Sequence, residues 1–164
     1  MFVQQRSPRS LVAIDLENLA GTSRPNAEDA QSVVNRLRGV ISISARDHVV
    51  VAANPGNAFT AEIVRRDLHG SSRLRHGRNG ADLALIEEIE VFLKQEMKQA
   101  SRTVHQLVIC SGDGIFSSVA LWAHHVVGVK VVGIAVGDQL SHRLRGACNE
   151  IHELPNSLSF ALAS

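Results

Sequence analysis

The sequence contains no tyrosine, and only 4% of its residues are aromatic. Recognition by stacking of nucleic-acid bases on an exposed aromatic platform is therefore not expected. Of its two cysteines, Cys110 lies inside an apolar run and Cys148 in a predicted helix, so neither is typical of a disulfide framework or a CxxC metal site. No apolar run reaches membrane-spanning length, and the segment MFVQQRSPRS lacks the apolar stretch of a signal peptide. We therefore expect buried thiols, no membrane partner and a cytoplasmic location.

The remaining composition is that of an ordinary soluble domain. The 164 residues are 45% hydrophobic and 20% charged, with a net charge of +1, so any binding surface must be sought in the local charge pattern. We predict a flexible N-terminus (1–9), one domain (10–154) and a C-terminal tail (155–164), and little order in loop 21–25. Apolar residues of the tail could pack on a second copy, giving a homodimer, or fold back on the core: Leu158, Phe160, Ala161 and Leu162.

Short β-branched runs alternate with segments of helical periodicity. Strands are predicted at 11–14, 48–53, 107–110 and 129–136, with a short edge strand near 73–75. Helices are predicted at 27–38, 79–99, 116–127 and 139–148. Such alternation is typical of a three-layer α/β/α Rossmannoid fold with a mostly parallel sheet. The strand order that we expect is 3-2-1-4-5.

Three aspartates fall where the loops of such a sheet converge. Asp15 closes the first strand and Asp113 follows the strand LVIC, so both face one crevice if those strands are neighbours. Asp82 begins the long helix. Each has a simpler interpretation: Asp15 as a turn residue, Asp113 as a helix cap, and Asp82 as the third residue of a helix capped by Asn79.

Clustered carboxylates repel one another unless a cation lies among them. Mg²⁺ or Mn²⁺ binds one or two carboxylates together with waters and substrate phosphate oxygens. Such an ion lowers the pKa of a bound water and neutralises charge on a phosphoryl group. The three aspartates therefore suggest a site for phosphodiester hydrolysis.

Four sequence blocks also resemble the NYN domain, the LabA-like branch of the PIN-like nuclease superfamily. In order they are AIDLENL, NGADLALIEEI, LVICSGDGIFSSVALWAHHVVGVKVVGIAV and LSHRLRGACNEIHEL, which together span residues 10–154. The resemblance implies a PIN-like fold and a metal-dependent ribonuclease. It implies that Asp15, Asp82 and Asp113 bind the metal, that Asn18 orients a water or phosphate, and that Ser111 donates to a carboxylate or the scissile phosphate.

One position departs from this pattern. Many relatives carry a second aspartate where this chain has Ile115, and its loss leaves three carboxylates, enough for one ion but not clearly for two. Glu17 would help to compensate if the chain stayed extended beyond Asp15, and it is otherwise a solvated turn residue. The glycines Gly112 and Gly114 are expected to let the backbone turn sharply where a substrate approaches.

Basic residues lie in two groups that could flank the crevice and hold an RNA backbone, or could be ordinary solvated charge. One group precedes Asp82 and the other follows the last predicted strand: Arg65, Arg66, Arg73, Arg75, Arg78, and His142, Arg143, Arg145. Of the histidines, only His76 lies beside the proposed crevice.

The leading hypothesis is a Mg²⁺- or Mn²⁺-dependent endoribonuclease acting on single-stranded RNA. The alternative is a catalytically weak or inactive NYN domain that binds RNA or a protein as a regulator; a nucleotide-binding module is disfavoured because no GxGxxG or P-loop is present.

Overall fold

The computed structural model describes residues 9–156, which form one sheet of six parallel strands. The sheet order is β3-β2-β1-β4-β5-β6, so the predicted order 3-2-1-4-5 is present and is extended by an edge strand that was not predicted. The predicted strand near 73–75 lies slightly earlier in the chain. The strands are β1 (Arg9–Asp15), β2 (His48–Ala53), β3 (Ser71–Leu74), β4 (Val104–Cys110), β5 (Lys130–Val136) and β6 (Glu150–Leu154).

Six α-helices connect the strands, and two of them, α1 and α3, were not predicted. The helix predicted at 116–127 is present in two geometries, because α5 continues into a π-helical turn at Ala123–Val127. The helix predicted at 139–148 is shorter and begins at His142. The helices are α1 (Leu16–Ala20), α2 (Ala27–Val40), α3 (Ala58–Asp67), α4 (Gly80–Met97), α5 (Ser117–Trp122) and α6 (His142–Ala147).

Helices cover both faces of the sheet, which confirms the three-layer α/β/α fold. One core cluster joins α4, α5 and α6 to alternate strand residues such as Leu11 and Ala13. The other joins α1, α2 and α3 to the intervening residues, such as Val12 and Ile14. Because successive side chains of a strand point to opposite faces, a strand buried on both sides is apolar throughout. This explains the uninterrupted apolar runs of the sequence.

The strand order reverses between β1 and β4, since the chain builds the sheet outward from β1 in one direction and then from β4 in the other. In open parallel sheets, ligands bind outside the carboxyl ends of the strands at such a point. Asp15 is the last residue of β1, and Ser111 directly follows β4. The fold therefore places the expected aspartates at the predicted crevice.

Both cysteines are free thiols, and burial raises the pKa of each, that of Cys148 to about 11. None of the helices between residues 9 and 156 is long and apolar enough to cross a bilayer. The predicted dimer contacts at Leu158, Phe160, Ala161 and Leu162 lie outside the described residues. So do residues 1–8 of the predicted flexible N-terminus, whereas Arg9 already belongs to β1.

Candidate active site

Asp15 points toward α4 because it continues the alternation of β1. Leu11 and Ala13 face the cluster that contains α4, and Asp15 is the next residue of the same parity. Its side chain is only 5% exposed. One carboxylate oxygen accepts from the backbone N–H of Asn18 at 3.4 Å, which caps α1, and the other accepts from the Ser111 hydroxyl at 3.1 Å. The turn-residue interpretation is thus correct for one oxygen and incomplete for the other.

Asp82 meets Asp15 from the first turn of α4. Its side chain is 8% exposed and forms a hydrogen bond with the carboxyl group of Asp15. Asn79 occupies the N-cap position, but its side chain makes no capping hydrogen bond. The carboxylate of Asp82 therefore contributes to the helix start through the helix dipole, while its hydrogen bond goes to the sheet.

The two buried carboxyl groups are held in a state that favours protonation. Burial, followed by the hydrogen bond and the charge of Asp82, raises the pKa of Asp15 to about 8. Burial and the charges of Asp113 and Glu17 also raise the pKa of Asp82. Two carboxylates in contact cannot both ionise cheaply, so the pair retains a proton near neutral pH unless a cation replaces it.

The segment after β4 is tied to this pair. The Ser111 hydroxyl, which donates to Asp15, accepts from the backbone N–H of Asp113 at 3.2 Å. The side-chain oxygen of Asn18 accepts from the backbone N–H of Gly112 at 2.9 Å. Asn18 therefore holds the β4 loop against α1. The water- or phosphate-orienting role that the resemblance implies stays a prediction.

Asp113 is exposed, and one of its oxygens accepts from the backbone N–H of Ile115 at 2.9 Å. It caps a 3₁₀ turn, Gly114–Phe116, so the predicted capping role is present, and its carboxylate also lines the cleft. Ile115 is half-buried and packs against the core cluster of α4 and α5. An aspartate side chain in that place would meet apolar surroundings.

Glu17 belongs to α1, because the chain becomes helical at Leu16 and does not stay extended. One of its carboxylate oxygens accepts from the backbone N–H of Asn54 at 2.6 Å and from the side-chain amide of Asn57 at 2.9 Å. The other oxygen is buried and has no hydrogen-bond partner among residues 9–156. A buried acceptor without a donor is costly, and a cation would relieve that cost.

These acidic groups line one cleft of about 480 Å³, together with Asn18 and residues from the loops after β1, β2 and β3. Two of the predicted arginines, Arg75 and Arg78, line the same cleft. The described residues that border it are Asp15, Glu17, Asn18, Ser23, Asn54, Arg75, Gly77, Arg78, Asn79, Ala81, Asp82 and Asp113. Ser23 and Asn54 were not predicted, although Asn54 directly follows β2 at the carboxyl edge, which is a usable signal.

The predicted basic residues do not all reach the cleft. Arg73 forms an ion pair with Glu88 at 3.1 Å, and Arg75, although it lines the cleft, donates to Glu87 at 2.8 Å. Both acids lie on α4. The guanidinium of Arg78 makes no hydrogen bond or ion pair within residues 9–156, so it alone of these three is available to a ligand. The others, Arg65, Arg66, Arg143, Arg145, His76 and His142, are not among the lining residues.

The glycines after β4 serve the protein's own packing. A Cβ atom at Gly112 would lie 2.4 Å from the backbone oxygen of Gln139, and one at Gly114 would lie 2.7 Å from the hydroxyl of Ser141. Neither glycine has a positive φ. The close neighbour of both glycines is the loop between β5 and α6, so the packing of the chain already requires glycine there. The approach of a substrate at these positions stays a prediction.

The donor set suits a hard cation that keeps part of its hydration shell. Within the described part of the chain, no three histidine, cysteine or acidic side chains are arranged to hold a metal ion by themselves. Mg²⁺ is commonly held through only one or two carboxylates, with water and phosphate oxygens filling its other positions. Asp15 and Asp82 fit that requirement as direct ligands, with Asp113 and Glu17 within the same cleft for contact through water.

Comparison with known proteins supports the fold and gives no information about the chemistry of the site. No family model matches the chain, and no curated protein matches it. The solved structure of a protein of unknown function from Vibrio parahaemolyticus is similar, with a TM-score of 0.67 and 14% identity, over 93% of this chain and 96% of that one. At this identity the similarity shows a common fold, and the site must be interpreted from its own residues.

Proposed function

We propose that this protein is a metal-dependent endoribonuclease of the NYN type, which hydrolyses phosphodiester bonds of single-stranded RNA. The observation that carries the proposal is the buried Asp15–Asp82 pair at the point where the strand order reverses. Burial raises both pKa values, with the hydrogen bond and charge of Asp82 adding to the rise at Asp15 and the charges of Asp113 and Glu17 adding to the rise at Asp82. Strongly perturbed carboxyl groups in a cleft mark a functional site more often than a structural one.

The chain's residues have distinct roles in this proposal. Asp15 and Asp82 would hold Mg²⁺ or Mn²⁺ in place of their retained proton, and Ser111 keeps Asp15 oriented through its 3.1 Å hydrogen bond. When bound, the cation supplies charge neutralisation at the phosphoryl group and a more acidic water. Asp113, exposed at the rim, lies where it can accept a proton or hold a water beside the scissile phosphate.

We assign RNA as the substrate from the positive charge of the arginines that line the cleft. Arg78 lines the cleft with an unpaired guanidinium, and Arg75 lies beside it. Such groups contact the phosphate backbone and carry no base specificity by themselves. Neither Arg73, which is paired with Glu88, nor Arg143 lines the cleft, so neither is assigned a contact with the substrate.

The test is cleavage of an end-labelled single-stranded RNA in Mn²⁺, with EDTA as the metal-free arm. Asp82→Asn keeps the shape of the side chain but removes one of the two ligand charges, and we expect it to lower cleavage at least about 100-fold, as loss of an essential catalytic interaction does. Asp67→Asn is the matched control, since Asp67 ends α3 at the opposite edge of the sheet. Cleavage that survives both EDTA and Asp82→Asn would refute the proposal.

The alternative function, a regulator that binds RNA or protein without cleaving, is favoured by one observation. Ile115, at the position where the resemblance implies a further aspartate, packs against the core cluster of α4 and α5 and supplies no carboxylate to the site. RNA binding that is retained while Mn²⁺ gives no cleavage would assign the protein to this alternative.

A further inference from the structure

A second cavity of about 610 Å³ adjoins the acidic cleft. The two share Ser23 and Asn54 as lining residues, so they meet at this wall. Unlike the first cavity, the second has no acidic lining residue. Its lining residues are Ser23, Arg24, Pro25, Asn54, Gly56, Asn57, Phe59 and Thr60.

Phe59 stands out in this cavity because it is 75% exposed, the highest value among the exposed large hydrophobic residues between positions 9 and 156. It lies in the first turn of α3, where burial of the helix does not require it. A single exposed apolar side chain is ordinary, but an aromatic ring beside a charged cleft offers a face to a planar group.

Arg24 supplies a positive charge in the same cavity. Its side chain is exposed and makes no hydrogen bond or ion pair in the described part of the chain. A guanidinium without a partner among residues 9–156, in the same cavity as an exposed ring, matches the two features of a nucleotide, which are a phosphate and a flat base.

The cavity walls are fixed before any ligand binds. The side-chain amide of Asn57 donates to the backbone oxygen of Ser23 at 3.0 Å, and the hydroxyl of Thr60 donates to that of Pro25 at 3.0 Å. Both Asn57 and Thr60 are buried. Loop 21–25, which we expected to be poorly ordered, is therefore tied to α3, and a ligand does not have to order it.

We propose that this cavity is a nucleotide subsite, in which one unpaired base of the RNA stacks on Phe59 while a neighbouring phosphate contacts Arg24. The proposal rests on the proposed function for the identity of the strand, and it deepens that function by requiring a single-stranded segment beyond the cleavage site. It also revises the expectation, drawn from the low aromatic content, that no base stacks on an exposed ring. One well-placed aromatic side chain is sufficient for one base.

The test measures binding rather than cleavage. Affinity for a fluorescein-labelled single-stranded RNA is measured by anisotropy in EDTA, for the wild type, Phe59→Ala, Phe59→Leu and Phe59→Trp. Loss of one stacked base weakens binding by roughly 5- to 150-fold. We expect the full loss of affinity for Phe59→Ala and wild-type affinity for Phe59→Trp. Phe59→Leu should show most of the loss, because leucine keeps apolar area but has no ring. Val126→Ala, 61% exposed before β5 at the other edge of the sheet, is the control and should bind like the wild type.

A second arm identifies the base that stacks. A series of RNAs, each lacking one base at a different position, is bound to the wild type and to Phe59→Ala. One position should weaken wild-type binding and have little effect on the variant, which is the signature of a direct contact in a double-mutant cycle. Equal effects of every abasic position on both proteins would overturn the subsite, as would unchanged affinity of Phe59→Ala. Wild-type protein that binds no RNA would also overturn it and would favour a protein partner for this face.

The outcomes separate the two proposals. Binding that depends on Phe59 without any Mn²⁺-dependent cleavage would retain the subsite and refute the nuclease. Cleavage and binding that are both indifferent to Phe59 would retain the nuclease and refute the subsite. Because Phe59 is largely exposed, its substitution should leave the midpoint of thermal unfolding unchanged, which checks that the fold is intact.

Discussion

Replacing Asp15 by asparagine should stabilise the metal-free protein at alkaline pH, although it removes a proposed metal ligand. Asparagine has nearly the shape of aspartate, keeps one acceptor oxygen and cannot ionise. In the wild type the pKa of Asp15 is raised from its ordinary value of 3.8 to about 8, chiefly by burial and then by Asp82. Between these two values the folded state keeps a proton that the unfolded state has lost.

The sign and size follow from linkage. Stability falls with rising pH wherever the folded state binds more protons, so the wild type loses stability from about pH 4 until the folded carboxyl group also ionises near pH 8. At about 1.4 kcal/mol per pH unit for one proton, Asp15 can lower the free energy of unfolding by as much as about 4 kcal/mol between about pH 5 and about pH 8. That is a large part of the stability of a domain.

The assay is urea unfolding in EDTA at the two pH values, followed by circular dichroism and by the fluorescence of Trp122, the single tryptophan. Asp15→Asn should lose less stability than the wild type over this range and should be the more stable protein at the higher pH. Asp67→Asn should keep the wild-type pH dependence. Parallel pH profiles of the wild type and Asp15→Asn would refute the reasoning, because they would mean that Asp15 titrates alike in both states.

Two further predictions concern the basic rim and the glycine contacts. Arg78→Ala should weaken RNA binding in fluorescence titrations. It should also reduce the magnitude of the slope of log affinity against log salt by roughly 0.7, which is the single-strand value for one phosphate contact. An unchanged slope, or an equal change in Arg66→Ala, would contradict the assignment of Arg78 to a phosphate. Gly112→Ala should lower the free energy of unfolding by at least about 2 kcal/mol, because its Cβ would lie 2.4 Å from the backbone oxygen of Gln139. Gly39 lies in α2, and a Cβ atom added there would have no neighbour within 4 Å among the described residues. Gly39→Ala should therefore raise the free energy of unfolding by about 0.5 to 1 kcal/mol in the same thermal and urea unfolding experiments. A loss of stability in Gly39→Ala, or no loss in Gly112→Ala, would contradict the role given to these contacts.

The layered fold and the position of Asp15 could be predicted because both follow from local patterns. Apolar runs of strand length identify buried strands, and their alternation with helices determines the three layers. The edge strand β6 was missed because Glu150–Leu154 is mostly half-buried or exposed and contains only two apolar residues, Ile151 and Leu154. Helix α3 was missed because its core positions, Ala61 and Val64, are few and small beside its charged residues.

The chemistry of the site depends on contacts that no local pattern contains. The residues after Asn79 are equally compatible with a helix cap and with a ligand, and only the packing of α4 against β1 brings Asp82 to Asp15. The same holds for Asn18, whose partner Gly112 is 94 positions away. The cavity beside Phe59 is formed by loops after two different strands, so neither its existence nor its continuity with the acidic cleft could be predicted from composition.

If the Asp15–Asp82 pair exchanges a retained proton for a divalent cation, binding of Mn²⁺ must release that proton. Calorimetric titration with Mn²⁺ measures both events. Titrations near pH 7 in buffers of different ionisation enthalpy give both the affinity and the number of protons released. We expect one bound ion and loss of this binding in Asp82→Asn. We also expect release of close to one proton, because the pKa of Asp15 is raised to about 8 and that of Asp82 is also raised. Absence of Mn²⁺ binding, or binding without proton release that Asp82→Asn leaves unchanged, would contradict this exchange.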